Sequence, residues 1–150
     1  MLSLFHTIIS IPFGILFQNP ILAFSAAFAM HVLCDHLLHW NIYPHKMRRY
    51  PFELVALDVV GGLGAAYLIA GNAIFTLPVL AAIAGGNMPD ILHAFWGFLP
   101  ERIQKKSPAL IRAAFAFHIH VQRETDSIPK GLVSQIIVGG IAIIITRALL

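Results

Sequence analysis

Histidine and aspartate residues occur inside the most apolar stretches of this 150-residue chain. The stretch from residue 20 to residue 40 contains His31, Asp35 and His39, each four residues from the next. At about 100° per residue, an α-helix places such residues on one stripe of its surface. Two imidazoles and a carboxylate on one stripe are typical ligands of zinc, manganese or iron. The spacing therefore predicts part of a metal site.

More ionisable residues lie in the apolar segments that follow. Asp58 is alone in an apolar run, and His118 lies one helical turn before Gln122. Asp90 and His93 share a helical face directly after the sequence Gly-Gly-Asn-Met-Pro. Because an ionisable group inside a membrane is costly, each of these residues is a candidate for function.

Several of these residues have a simpler interpretation. A histidine in an apolar helix often forms only a hydrogen bond to a neighbouring helix, and this is the interpretation for His36, His45 and His120. For His6, an interfacial position is as reasonable as a functional one. Asp58 has the alternative role of a polar clamp between two helices.

The elements that position these residues follow from the composition. Hydrophobic residues make up 58% of the chain, charged residues 11%, and the mean hydropathy is +0.79. A soluble domain has roughly a quarter of its residues charged. Residues 1–34, 59–89 and 131–146 contain no Asp, Glu, Lys or Arg. Since a helix needs roughly 20 apolar residues to cross the hydrocarbon core, these runs predict membrane-spanning helices.

We therefore predict an all-α, polytopic helical membrane bundle with four to six membrane segments, forming a single integral membrane domain over residues 1–150. Turn signals such as Asn19-Pro20 and Gly71-Asn72 separate the segments. The predicted segments cover residues 3–18, 20–40, 52–70, 73–99 (interrupted at 85–89), 109–122 and 131–150. The first and the fifth segments are the shortest or most broken.

The basic residues predict an orientation in the cell membrane. They cluster in the loops 41–51 and 100–108, and positive loops tend to remain cytoplasmic. This places the loop 123–130 outside and both termini in the cytoplasm. Counting inward at about 1.5 Å per residue then brings candidate residues from four segments to one layer near the cytoplasmic leaflet. The net charge of +3 is thus an orientation signal, and no nucleic-acid partner is expected.

The candidate residues also resemble a known family. His31, Asp35 and His39, the run from Gly85 to Asp90, His93, and His118 with Gln122 are similar to the membrane-bound metal-dependent hydrolase family (YdjM-like). That family is grouped with the zinc-dependent phospholipase C-like proteins. The resemblance covers residues 24–124, and it implies hydrolysis of a phosphoester in or near the lipid. Family members often carry Pro-Asp-x-Asp, whereas this chain reads Pro-Asp-Ile-Leu-His from residue 89.

The leading hypothesis is a metal-dependent hydrolase in the lipid bilayer, acting on a lipid-linked or phosphoester substrate. The expected cofactor is a divalent metal ion, zinc in the first place, with manganese and iron as alternatives. Asp58 or Asp35 is the expected general base. The expected metal ligands are His31, Asp35, His39, Asp90, His93 and His118.

Two other functions fit the same residues. Eight histidines in a small bundle could ligate haem or a di-iron centre, although the prominent carboxylates do not suit a bis-histidine haem. The residues could also form the relay of a metal or proton transporter. Their concentration in one layer favours a site over a path across the membrane.

Overall fold

The computed structural model describes residues 1–42 and 51–150, and these residues are helical with no β-strand. The all-α prediction is thus confirmed for this part of the chain. His45 and the basic residues Lys46, Arg48 and Arg49 lie outside the described residues. The helices are α1 (Ser3–Phe17), α2 (Pro20–Asp35), α3 (Pro51–Ala70), α4 (Leu77–Phe98), α5 (Glu101–Lys106), α6 (Ala109–Val121) and α7 (Ile128–Leu149), with a short 3-10 helix (Gly71–Phe75) between α3 and α4.

The turn between α1 and α2 follows from two residues. The side chain of Asn19 accepts hydrogen bonds from the backbone N–H groups of Ile21 and Leu22, at 3.0 and 3.2 Å. Pro20 occupies the first position of α2, where its missing N–H leaves no helical hydrogen bond unmade. Together they reverse the chain so that α2 packs back against α1.

Helix α1 is the centre of the bundle and contacts α2, α3, α4 and α7. Its residues from His6 to Pro12 are all buried, whichever way they face. A helix that is buried on every side needs apolar residues all round, and α1 has them. The few polar groups of α1 therefore lie deep inside the protein, where they need polar partners.

Helix α4 crosses α1 and α2 at very short range, because two glycines lie at the contact. A Cβ atom at Gly85 would overlap the backbone carbonyl of Phe24, and one at Gly86 would overlap the side chain of Ser10. The predicted interruption at residues 85–89 is wrong, since α4 continues through Pro89. The glycines serve close packing of α4 and not a break.

Two helical stretches are long and apolar enough to cross a membrane among the residues described: Phe52–Phe75 and Ile128–Leu149. This is fewer than the four to six predicted segments. Helices α1, α2 and α6 are apolar but have only 15, 16 and 13 residues. Helix α4 is long enough, but it carries Asn87, Asp90 and His93.

The close approach at Gly85 gives a test of the packing. Gly85→Ala forces α2 and α4 apart, and we expect it to destabilise the protein by about 1–3 kcal/mol. Gly64→Ala is the control, because a Cβ atom at Gly64 meets nothing within 4 Å. It should be neutral or stabilise by up to about 1 kcal/mol through helix propensity. Thermal unfolding in detergent measures both, and equal melting temperatures for the two variants would contradict the packing.

Candidate metal centre

Two imidazoles and two carboxylates from three helices converge on one point. They belong to His31 and Asp35 of α2, Asp90 of α4 and His118 of α6, and one ligand atom of each lies within 4.8 Å of the others. Asp35 is fully buried, whereas 29% of the Asp90 side chain is exposed. The group could hold a metal ion, and its open side is the side of Asp90.

The distances between the ligand atoms suit a small cation. His31 Nε2 lies 3.0 Å from Asp35 Oδ2, 3.7 Å from Asp90 Oδ1 and 3.3 Å from His118 Nε2. His118 Nε2 lies 3.6 Å from Asp35 Oδ2 and 3.6 Å from Asp90 Oδ1. Bonds of about 2.0–2.2 Å in a tetrahedral zinc site separate the ligand atoms by roughly 3.3–3.6 Å. The observed separations lie in or close to this range.

Hydrogen bonds at the opposite ring nitrogens orient both imidazoles. His31 Nδ1 donates to the carbonyl oxygen of Gly86 at 2.7 Å, so a neutral His31 ring presents the lone pair of Nε2 to the site. His118 Nδ1 lies 3.1 Å from His93 Nδ1, and a proton on His118 Nδ1 likewise leaves its Nε2 free. Histidines that ligate metals usually have such a partner at the other nitrogen.

A positive charge at the centre of the group would stabilise all four side chains. Lone pairs of His31 Nε2 and His118 Nε2 that face the Asp35 and Asp90 oxygens repel them unless a proton or a cation lies between. If protons supplied this charge, each imidazole would need its own, and each buried imidazolium would carry a desolvation cost. A single divalent cation compensates all four groups at once.

Further polar groups surround Asp35. Gln122 Nε2 lies 3.4 Å from Asp35 Oδ2 and 3.4 Å from His118 Nε2. The other oxygen, Oδ1, accepts a hydrogen bond from the Met1 amino group at 3.0 Å. His6 Nε2 and His39 Nε2 lie 3.4 and 3.8 Å from that same oxygen.

His39 reaches Asp35 by a route that differs from the prediction. Helix α2 ends at Asp35, so His39 is not on a helical stripe with His31. Its backbone instead pairs with the segment after α6, donating to the Arg123 carbonyl at 2.9 Å and accepting from the Thr125 N–H at 2.9 Å.

Asp58 and His93 lie outside the four-residue group. Asp58 accepts hydrogen bonds from the backbone N–H groups of Ser3 and Leu4, at 2.7 and 3.1 Å, and so caps the beginning of α1. This position matches a clamp between α3 and α1, and it gives no support to a general base. His93 stands behind His118, where it can orient a ligand.

His6, for which the sequence left an interfacial and a functional position equally open, lies beside the four-residue group. It is 1% exposed, and its ring stacks on that of His31 with centroids 3.9 Å apart. The packing of α1 against both α2 and α4 brings it to the site. No local pattern around His6 carries that information.

A cleft beside the metal group is lined by apolar side chains of α2, α4 and α6. Its volume is about 240 Å³, and His118 forms part of its wall. Its other main lining residues are Phe28, Val32, Leu92, Phe115 and Phe117. The cleft thus joins an apolar surface to the cluster of polar ligands.

Comparisons with known proteins do not identify the chain. No family model matches it, and neither the curated proteins nor the solved structures contain a match. The resemblance to the membrane-bound hydrolases therefore rests on the motifs alone.

Metal titration of purified variants tests the centre. His31→Ala removes a ligand and should weaken binding by more than the roughly 10- to 100-fold that loss of a ligand's hydrogen-bond partner causes. His93→Ala removes such a partner of His118 and should fall within that range. The control is His36→Ala, because His36 is exposed and outside the group. Equal affinities in all three variants would show that the cluster is packing and not ligation.

Proposed function

We propose that this protein is a membrane-embedded, metal-dependent hydrolase with a divalent cation, zinc in the first place, at His31, Asp35, Asp90 and His118. The observation that carries the proposal is the convergence of these two imidazoles and two carboxylates, which are spaced as ligands of one ion. One side of the group is partly open, as a hydrolytic site requires for water and substrate.

The outer surface of the bundle supports a place in the bilayer. Only 17% of the apolar window in Phe52–Phe75, and 22% of that in Ile128–Leu149, is buried. Leu68 and Ile144 are 76% and 70% exposed. A helix of this kind in water would expose a large apolar surface, whereas lipid solvates it. In this proposal α3 and α7 cross the membrane, α4 and the shorter apolar helices complete a bundle of four to six segments, and both termini are cytoplasmic.

The residues of the group have separate roles in hydrolysis. A cation held by these residues would lower the pKa of bound water and would stabilise negative charge on the substrate. Asp35 is fully buried, so it would serve as a fixed ligand of the cation and would not contact a substrate. Asp90, on the open side, would hold the cation where water and substrate can reach it.

The apolar cleft indicates the substrate class. A hydrocarbon chain between Phe28, Leu92 and Phe115 would bring its head group next to His118. A phosphoester linked to a lipid has both parts, an apolar chain and an anionic centre that a cation attracts. We therefore propose a lipid-linked phosphoester as substrate.

Hydrolysis of a long-chain phosphoester in mixed micelles tests the activity. We expect phosphate release that a chelator abolishes and added Zn²⁺ or Mn²⁺ restores. Asp90→Asn should lower kcat by at least about 100-fold, since it removes a charged ligand of the cation. His36→Ala should leave the rate unchanged. Activity that persists in chelator, or in Asp90→Asn, would overturn the proposed chemistry.

The cleft is tested by filling it. Leu92→Trp places a larger side chain in the cleft and should raise KM for a long-chain phosphoester by about 10-fold, which is about 1.4 kcal/mol of binding. A short, water-soluble phosphoester should keep its KM. The matched control is Leu110→Trp, because Leu110 is 81% exposed on α6 and outside the cleft. An equal rise in KM for both substrates would show that the cleft does not bind the chain.

A further inference from the structure

We infer that the site holds a second divalent cation, on the far side of the two carboxylates, with His6 and His39 as its imidazole ligands. The two ions would then share Asp35 and Asp90. This inference rests on the proposed function, since it extends the same metal centre. It gives a role to two histidines that the first cation does not touch.

The first observation is a lack of hydrogen bonds. In residues 1–42 and 51–150, three buried side-chain nitrogen or oxygen atoms lack a hydrogen-bond partner, and two of them are His6 Nε2 and His39 Nε2. Both side chains are almost completely buried, with 1% and 0% exposure. Leaving a buried polar atom without a partner costs about 1–3 kcal/mol. Two such atoms next to one carboxylate are placed so that one cation would satisfy both.

The second observation is the way each carboxylate divides its oxygens. Asp35 turns Oδ2 to His31 and His118, and it turns Oδ1 to His6 and His39. Asp90 does the same, because its Oδ1 lies 3.7 Å from His31 Nε2 and its Oδ2 lies 3.8 Å from His6 Nε2. A carboxylate with one oxygen toward each of two imidazole groups is arranged as a bridge between two ions.

The third observation is the tautomer of His39. Its Nδ1 donates to the Leu37 carbonyl at 2.8 Å, so a neutral ring carries a lone pair on Nε2. That lone pair faces Asp35 Oδ1 at 3.8 Å, and two electron-rich atoms repel each other without a positive charge between them. His31 has the same arrangement, with the Gly86 carbonyl in place of Leu37.

The Met1 amino group does not supply a partner for His6 Nε2 or His39 Nε2. It donates to Asp35 Oδ1 at 3.0 Å, but the described contacts give it no hydrogen bond to His6 or His39. A divalent cation at this position would take over the contact with Asp35 and would satisfy both imidazoles as well. Two ions about 3.5–4 Å apart can stabilise both the attacking and the leaving oxygen of a phosphoester.

Metal stoichiometry tests the inference without any activity assay. The full chain is purified in detergent, loaded with Mn²⁺ or Zn²⁺, freed of excess metal and analysed for metal per protein. We expect two equivalents in the wild type and one in His6→Asn and in His39→Asn. His36→Asn and His120→Asn are the controls, because both histidines are exposed, and they should keep two equivalents.

Electron paramagnetic resonance of the Mn²⁺-loaded wild type gives a readout that does not depend on how a variant folds. Two ions that share carboxylates should give an exchange-coupled spectrum, and a single bound ion should give the spectrum of isolated Mn²⁺. One equivalent with an isolated spectrum would overturn the second cation but leave the proposed hydrolase intact. No bound metal in the wild type would overturn both.

Discussion

The carboxylate of Asp35 is the group on which the arrangement of this protein depends. A fully buried charge is far more costly than a buried hydrogen bond unless opposite charge or donors surround it. Here the surrounding groups come from several elements: His6 from α1, His31 from α2, and His118 with Gln122 from α6 and the residue after it. The environment of this one carboxylate thus brings these helices together.

Close backbone packing makes these contacts possible. Gly86 lets α4 approach α1, and its carbonyl oxygen fixes the ring of His31, so one glycine serves both the fold and the site. Gly131 of α7 plays a similar part, because a Cβ atom there would overlap the backbone at Trp40. Gln135, one turn later, donates to the Trp40 carbonyl at 2.9 Å. The segment that carries His39 is therefore held from the side of α7.

The sequence predicted the residues of the metal group better than it predicted how they meet. His31 and Asp35 form an i, i+4 pair on α2, which local periodicity can show, and Asp90 and His118 stand out as ionisable residues in apolar helices. The position of His39 depends on backbone pairing with a segment more than 80 residues away, which no helical spacing can reveal.

The prediction that the candidate residues lie in one layer could not show which of them meet. Depth along a helix does not fix which way a side chain points, and Asp58 points to the first turn of α1. The number of crossings remains a prediction, because length and hydropathy alone identify two helices in the described part of the chain.

The order of these residues along the chain has a consequence for biosynthesis. His6 and Asp35 leave the ribosome long before His118, and the backbone of Leu2 finds its partner only in Gln135, 133 residues later. The polar groups of α1 and α2 therefore remain incompletely paired until α6 and α7 have been synthesised. The four-residue group is thus complete only late in synthesis, so the metal loading that we propose would be a late event of maturation, and a chain truncated before α6 could not complete it.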